Sequence, residues 1–175
     1  MDLPQDAVDS LGRLTGSWSG TGHWSSPEGE SRTFSDSRSI TPGQLGVSTL
    51  HGQLCWTDSP NRPFYQEVGA ISAMPSGEFL LQTVSPNGVM LSIAGRGVAS
   101  DGGRTQSFVF ESEAEPVEAE ATLLEAERGI VTVSYLLEGD ELRWELVSKV
   151  DVYGLADREY KYQSILRPAR RNNRG

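Results

Sequence analysis

The chain has 175 residues, with 15 Lys and Arg against 24 Asp and Glu, and a formal net charge of −9. This acidic balance argues against nucleic-acid binding, which needs a basic face to displace the counterions of phosphate groups. The length favours a single domain whose hydrophobic core is large enough to fold without cross-links.

Compartment and membrane association are predicted from the apolar runs, the first residues and the cysteine count. No apolar run approaches the roughly 18 residues of a membrane-spanning helix, and the acidic start MDLPQDAVDSL is unlike a secretory signal. The single cysteine, Cys55, cannot form an internal disulfide and suits a reducing compartment. We therefore expect a cytoplasmic protein without membrane insertion.

The chain begins with a predicted helix and continues as strands separated by turns. Ala7, Leu11 and Leu14 recur at helical spacing within residues 5–14. Beyond them, turn sequences such as Pro75-Ser76-Gly77 separate short segments rich in strand-forming residues. In chain order these segments are 18–24, 32–40, 47–56, 64–72, 79–84, 89–96, 105–111, 118–124, 130–137, 142–152 and 158–166. The succession predicts an all-β antiparallel meander with a short N-terminal helix.

The first strand segment, GSWSGTGHWSSP at residues 16–27, predicts how this meander is arranged. Apolar or small residues occupy every second position, and glycines within a strand suit a sharp bend or a close backbone approach. About ten strands closing on themselves would form a barrel wide enough for one flat or elongated ligand. An open sandwich is the alternative. We expect one barrel domain over residues 1–168, followed by a flexible basic tail at 169–175.

Several short motifs follow one another in a fixed order. G-x-W-x-G-x-G-x-x-x-x-P spans 16–27, Gln53-Leu54-Cys55-Trp56 ends a strand, and 63–69 reads P-x-Y-x-E-x-G. A Pro-x-Gly turn at 86–88 and Ser164-Ile165-Leu166-Arg167 complete the series. Together they resemble the nitrobindin-like family of haem-binding β-barrels, which are relatives of fatty-acid-binding proteins.

This resemblance implies a ten-stranded antiparallel barrel of the calycin or lipocalin-like kind. It also implies haem b as the cofactor, held by an axial histidine from the last strand. The chemistry of the family is reversible nitric oxide binding and isomerisation of peroxynitrite to nitrate. The segment REYKYQSILR of this chain, however, contains no histidine.

Tyr160 is the candidate metal ligand. Aligning Arg167 with the terminal arginine of the family places Tyr160 at the ligand position, and a shift of one residue would place Lys161 there. Tyrosinate is a known axial ligand of ferric haem. The alternative is that Tyr160 and Tyr162 line a wet cavity mouth and hydrogen-bond to their neighbours.

Alternation along the strands adds further candidate binding residues. It places Arg158 with Tyr160 and Tyr162 on the inward face of the last strand. The Arg-x-Tyr pair resembles the carboxylate clamp of fatty-acid-binding proteins, although Arg158 at the rim in a salt bridge is the alternative. Trp18 and Trp24 face inward as stacking surfaces, which turns His23 outward. His51 lies on a polar face that borders either solvent or a wet lumen.

No nucleophile–base motif or metal-ligand spacing occurs in the chain, so no catalytic residue is assigned. We therefore predict a small-molecule-binding protein, monomeric or homodimeric, that holds a hydrophobic or planar ligand, either haem-like or lipid-like. The alternative is a haem-dependent peroxynitrite isomerase or nitric oxide-binding protein with a non-histidine axial ligand. A third hypothesis is a barrel filled by its own side chains that acts only through its surface.

Overall fold

In the part of the chain that it describes, the computed structural model contains one helix followed by ten strands. It describes residues 3–85, 91–101, 105–114, 126–152 and 155–169, with side chains at 3–84, 106–111, 132–147, 149 and 159–169. The elements are α1 (Gln5–Leu14), β1 (Gly16–Ser25), β2 (Ser31–Pro42), β3 (Val47–Trp56), β4 (Pro63–Ala73), β5 (Phe79–Ser85), β6 (Leu91–Asp101), β7 (Thr105–Ala114), β8 (Ala126–Glu138), β9 (Glu141–Val152) and β10 (Leu155–Pro168).

Every strand pairs antiparallel with its neighbours in the chain, and β1 also pairs with β10, so the sheet closes into a barrel. The predicted single all-β antiparallel barrel with a short N-terminal helix is confirmed, and the open sandwich is excluded. The predicted strand at 118–124 lies outside the described residues. Of the predicted tail, the structure describes Ala169, whose backbone N–H donates to the Ser17 carbonyl oxygen over 2.8 Å.

Connections in an up-and-down barrel alternate between its two ends. The end that holds α1, here called the helix end, also carries the β2–β3 and β4–β5 turns. The opposite end, here called the mouth, carries the β1–β2 and β3–β4 turns. These two ends differ in how their inward-facing side chains are covered.

The helix end is closed by the apolar face of α1. Leu11 and Leu14 are buried there, and the Trp18 indole N–H donates to the Leu14 carbonyl oxygen over 3.0 Å. Buried apolar side chains from the surrounding strands continue this core, including Ile40, Leu50, Ile71, Phe79, Leu137, Leu142 and Leu166. Burial of these side chains is the main source of stability in the closed half of the barrel.

Gly20 of β1 explains why the first strand is rich in glycine. A Cβ at this position would overlap the carbonyl oxygen of Ile165 on β10. The close approach occurs where the last strand joins the first, with Gly20 opposite Leu166. Glycine at this position therefore permits the contact that closes the barrel.

Within the described part of the chain, no helix has the length and apolar character needed to cross a membrane.

Candidate functional site in the barrel lumen

Three charged side chains lie buried inside the barrel and form what we call the charged cluster: Asp36, Arg38 and Glu67. Asp36 and Arg38 alternate on the inward face of β2, Glu67 projects from β4, and each is 2 % exposed or less. The Arg38 Nε donates to Asp36 Oδ2 over 3.1 Å, and Nη1 donates to Glu67 Oε1. One guanidinium thus bridges two carboxylates that come from different strands.

The backbone register makes room for this bridge at Gly52 of β3. Arg38 lies opposite Gly52 on one side, and Gly52 lies opposite Glu67 on the other. A Cβ on Gly52 would lie 2.7 Å from Glu67 Oε1 and 2.9 Å from its Cγ. Because the glycine has no side chain, the ion pair passes over β3 within the lumen.

Neutral groups add further contacts to the charged cluster. Ser164 Oγ donates to Asp36 Oδ2 over 2.5 Å, and the Tyr65 hydroxyl donates to Glu67 Oε2 over 3.2 Å. The Arg38 guanidinium lies 3.6 Å above the centroid of the Trp144 ring. These contacts supply the hydrogen bonds and the cation–π interaction that buried charges need in place of water.

The phenols next to the charged cluster are held in their neutral form. Burial, followed by the Glu67 carboxylate, raises the pKa of Tyr65 well above its ordinary value of 10.0. The same two causes, in the same order, raise the pKa of Tyr135. At neutral pH both hydroxyls therefore retain their protons and can donate hydrogen bonds.

Several buried polar atoms inside the barrel have no hydrogen-bond partner among the described residues. Two belong to the charged cluster, namely Asp36 Oδ1 and the second terminal nitrogen of Arg38, and the others are the Tyr135 hydroxyl, Trp144 Nε1, Trp24 Nε1 and both amide atoms of Gln106. Trp144 lies close enough to the Tyr135 hydroxyl to lower its pKa, but the two groups do not form a well-oriented hydrogen bond. Buried polar groups are rarely left unpaired, so these atoms are available to water or to a polar group of a ligand.

A second cluster, which we call the aromatic mouth, lies at the open end of the lumen and consists of Trp24, Phe34, Trp56, Phe64 and Tyr162. Trp56 stacks on Phe64 with ring centroids 3.8 Å apart, and Trp24 meets Trp56 edge-on at 6.0 Å. Phe34 is fully buried beneath them, whereas the other four rings are only half-buried. These four rings therefore keep part of their surface accessible to solvent at the mouth.

Arg32 covers one ring of the aromatic mouth from outside. Its guanidinium carbon lies 4.2 Å from the centroid of the Trp56 ring, and Nη2 forms a 2.7 Å ion pair with Asp58. Both side chains are exposed. The aromatic mouth therefore already carries one cation stacked on an indole and paired with a carboxylate.

The structure brings some of the predicted binding residues together and separates others. Tyr160 and Tyr162 are half-buried on the strand face that also carries the buried Ser164 and Leu166. Trp24 lies opposite Tyr162 in the register of β1 and β10. Arg158 of β10 lies opposite Val150 of β9, but the side chain of Arg158 is outside the described residues.

The remaining predicted residues do not join this group. Trp18 is buried under α1 at the helix end. His51 is exposed on the outer face of β3, because Leu50, Gly52 and Leu54 take the inward positions on that strand. Of the two environments considered for His51, the structure therefore shows solvent. His23 is also exposed, as the alternation in β1 predicts.

The residues of the charged cluster on β2 are missing from the sequence-based assignment. Phe34, Asp36, Arg38 and Ile40 alternate along β2 and are all buried. Because Asp36 and Arg38 share the alternation of the apolar Phe34 and Ile40, the sequence pattern alone could have indicated that these two charged residues face inward. Glu67, the acidic residue of the P-x-Y-x-E-x-G motif, pairs with Arg38 from β4.

A haem iron would need an axial donor directed into the lumen. Both histidines are exposed, and burial raises the pKa of Tyr65, Tyr135 and Tyr162, which disfavours their phenolates. Among the described side chains, no three His, Cys, Asp or Glu residues gather as a metal site. Neither histidine and none of these three phenols fits as the axial donor of a ferric haem, and ligation by Tyr160 stays a prediction from the resemblance.

Comparison with known proteins supports the architecture. No protein-family model and no curated protein sequence matches the chain. Among solved structures, the crystal structure of Rv2717c from M. tuberculosis matches with a TM-score of 0.75 and 20% sequence identity, covering 97% of this chain and 100% of that one. The likeness is one of fold. It fits a barrel-fold family and leaves the nitrobindin-like resemblance a prediction.

Proposed function

We propose that the chain is a small-molecule-binding protein that holds a flat or hydrophobic ligand inside its barrel, against the aromatic mouth. A closed barrel of this size is compatible with such binding. The supporting observation is a contrast between the two ends of the lumen. Trp18, Leu14 and Leu166 at the helix end are 6 % exposed or less, whereas Trp24, Trp56 and Phe64 at the mouth are only half-buried.

The partly exposed rings at the mouth and the buried polar atoms behind them match the composition of a ligand site. Ligand sites in proteins are concave and mostly apolar, with a few polar groups that fix orientation. The aromatic mouth provides the apolar wall, and the unpaired atoms of Tyr135, Trp144 and Gln106 provide polar groups deeper inside. The haem-dependent isomerase has no supporting contact among the described residues, so we propose binding rather than catalysis.

Calorimetric titration of naphthalenemethanol into the full chain tests the proposal. We expect saturable binding of this neutral, flat alcohol. Replacing the stacked pair in Trp56→Leu/Phe64→Leu should weaken binding by about tenfold or more, because burial of an aromatic face contributes roughly 1–3 kcal/mol. Ile165→Ala is the matched control, since Ile165 is 52 % exposed on the outside of β10.

The filled-barrel hypothesis predicts the opposite outcome. If correctly folded protein, checked by circular dichroism, binds no probe at any concentration up to the solubility limit, the lumen is filled and the proposal is wrong. Equal losses of affinity in the double variant and in Ile165→Ala would likewise show that the aromatic mouth is not the site.

A further inference from the structure

The charged cluster is not electrically neutral. It contains two carboxylates, Asp36 and Glu67, and a single guanidinium, Arg38, all nearly inaccessible to solvent. These three are the charged side chains that are buried within the described part of the barrel. One negative charge is therefore in excess, and an uncompensated buried charge is unfavourable by several kcal/mol.

Two described neighbours, Ser164 and Tyr65, reduce this cost without supplying a counter-charge. Ser164 and Tyr65 donate hydrogen bonds to the two carboxylates but are themselves neutral. Asp36 Oδ1 lies 3.1 Å from the Arg38 Nε yet accepts no hydrogen bond, because that N–H is directed at Oδ2. The fully buried Tyr135 hydroxyl oxygen also has no partner among the described residues, and the same holds for two donors, Trp144 Nε1 and the second terminal nitrogen of Arg38. Two acceptor atoms, Asp36 Oδ1 and the Tyr135 oxygen, thus remain open beside an excess of negative charge.

Arg38 is unsuited to binding the carboxylate of a ligand. Its Nε and Nη1 are already committed to Asp36 and Glu67. A third carboxylate at the remaining nitrogen would face two negative charges against one positive charge in a poorly screened interior. This arrangement differs from a carboxylate clamp, in which the guanidinium is free to pair with the ligand.

The aromatic mouth is compatible with cations. Arg32 already stacks on Trp56 there, with Asp58 as its counter-charge. Indole and phenol faces attract ammonium groups in the same way. A cationic ligand therefore meets favourable electrostatics both at the entrance and beside the charged cluster.

We infer that the ligand is a flat, apolar molecule bearing a protonated amine, and that the same body bearing a carboxylate is rejected. This inference rests on the proposed function and adds to it the chemical class of the ligand. The ammonium would be oriented toward Asp36 and Tyr135, and the apolar body would lie against the aromatic mouth.

Three matched probes test the inference on the unmodified full chain: naphthylmethylamine, naphthalenemethanol and naphthoate, titrated calorimetrically at neutral pH. We expect the amine to bind about tenfold or more tightly than the alcohol, and naphthoate to bind most weakly. Naphthoate binding as tightly as the amine, or equal affinities for the amine and the alcohol, would overturn the inference and leave the proposed function intact. No binding of any probe would instead overturn the proposed function.

A charge-removing variant locates the preference at the charged cluster. Glu67→Gln keeps the size of the side chain and one of its two acceptor oxygens but removes its negative charge, and we expect it to abolish the advantage of the amine over the alcohol. Glu138→Gln is the control, because Glu138 is exposed at the β8–β9 turn and its loss changes the net charge equally. An amine preference that persists in folded Glu67→Gln would refute the inference. Asp36→Asn provides the same test if Glu67→Gln does not fold.

Discussion

A single missing methyl group at Gly52 allows two charged side chains to meet across a strand. Arg38 and Glu67 belong to strands that flank β3, and their ion pair occupies the space that a Cβ on Gly52 would need. On the inward face of β3, Gly52 lies between the buried side chains of Leu50 and Leu54. The position of the ion pair therefore depends on one glycine as much as on the charged residues themselves.

Gly52→Ala should lower the free energy of unfolding by about 1–3 kcal/mol, since the added carbon forces Glu67 out of its contact with Arg38. Urea denaturation monitored by tryptophan fluorescence measures the change. Gly12→Ala is the companion variant: a Cβ at Gly12 meets no atom within 4 Å, and alanine in α1 should raise stability by about 1 kcal/mol. Shifts of the same sign in both variants would contradict this account.

Among the described elements, α1 is the one that lies outside the sheet. Its buried residues Ala7, Leu11 and Leu14 form a stripe at helical spacing, and Trp18 fixes the end of the helix by its hydrogen bond to Leu14. The helix has no side-chain N-cap. It is therefore held mainly by packing against the barrel, as is usual for a helix of this length.

Leu14→Ala should consequently destabilise the whole protein by about 2–5 kcal/mol, because it leaves a cavity beneath a side chain with 0 % exposure. The midpoint of urea unfolding reports the loss. Leu45→Ala provides the comparison, since Leu45 is 87 % exposed and its truncation should change stability by less than about 0.5 kcal/mol. Similar midpoints for the two variants would show that α1 is only loosely attached.

The strands were predictable from sequence because apolar residues alternate along them. The predicted segment 32–40 became β2 over Ser31–Pro42, and 142–152 became β9 over Glu141–Val152. Alternation also placed Tyr160 and Tyr162 on the inward face. It could not orient His51, whose neighbours Thr49 and Gln53 suit solvent and a wet lumen equally well.

The charged cluster was harder to predict because its partners are distant in sequence. Arg38 and Glu67 are 29 residues apart, and their meeting depends on the register of three strands. Alternation in β2 shows that Asp36 and Arg38 face the core, but only pairing across β3 shows that Glu67 joins them. Tyr135 and Gln106 were equally hard to predict, since nothing in their local sequence shows that their buried polar atoms lack hydrogen-bond partners among the described residues.

At the scale of the whole molecule, the buried phenols link stability to alkaline pH. Burial and the Glu67 carboxylate raise the pKa of Tyr65 and Tyr135 above the ordinary value of 10.0. When the pKa of a group is higher in the folded than in the unfolded state, its contribution to the free energy of unfolding is fully present below the unfolded-state pKa. For these tyrosines the contribution is lost as pH rises above about 10. Near neutral pH, the free energy of unfolding should therefore not change with the ionisation of these two tyrosines.

We expect the free energy of unfolding to fall steeply above about pH 10, and to fall less steeply in Tyr135→Phe. At neutral pH the variant should be about as stable as the parent protein, because the hydroxyl that it removes has no hydrogen-bond partner among the described residues. Urea titrations at a series of pH values give both quantities. Parallel pH profiles for the two proteins would exclude Tyr135 as a source of the dependence.

The pairing of β1 with β10 has a consequence for how the protein is made. Trp18 pairs with Pro168 and Ser25 with Lys161. The free edge of β1 is therefore covered only after β10 has been synthesised. Until the ribosome has released β10, the nascent chain exposes two unpaired edges, and such edges recruit other chains. Translation speed and chaperone supply should therefore govern the yield of this protein more strongly than its equilibrium stability does.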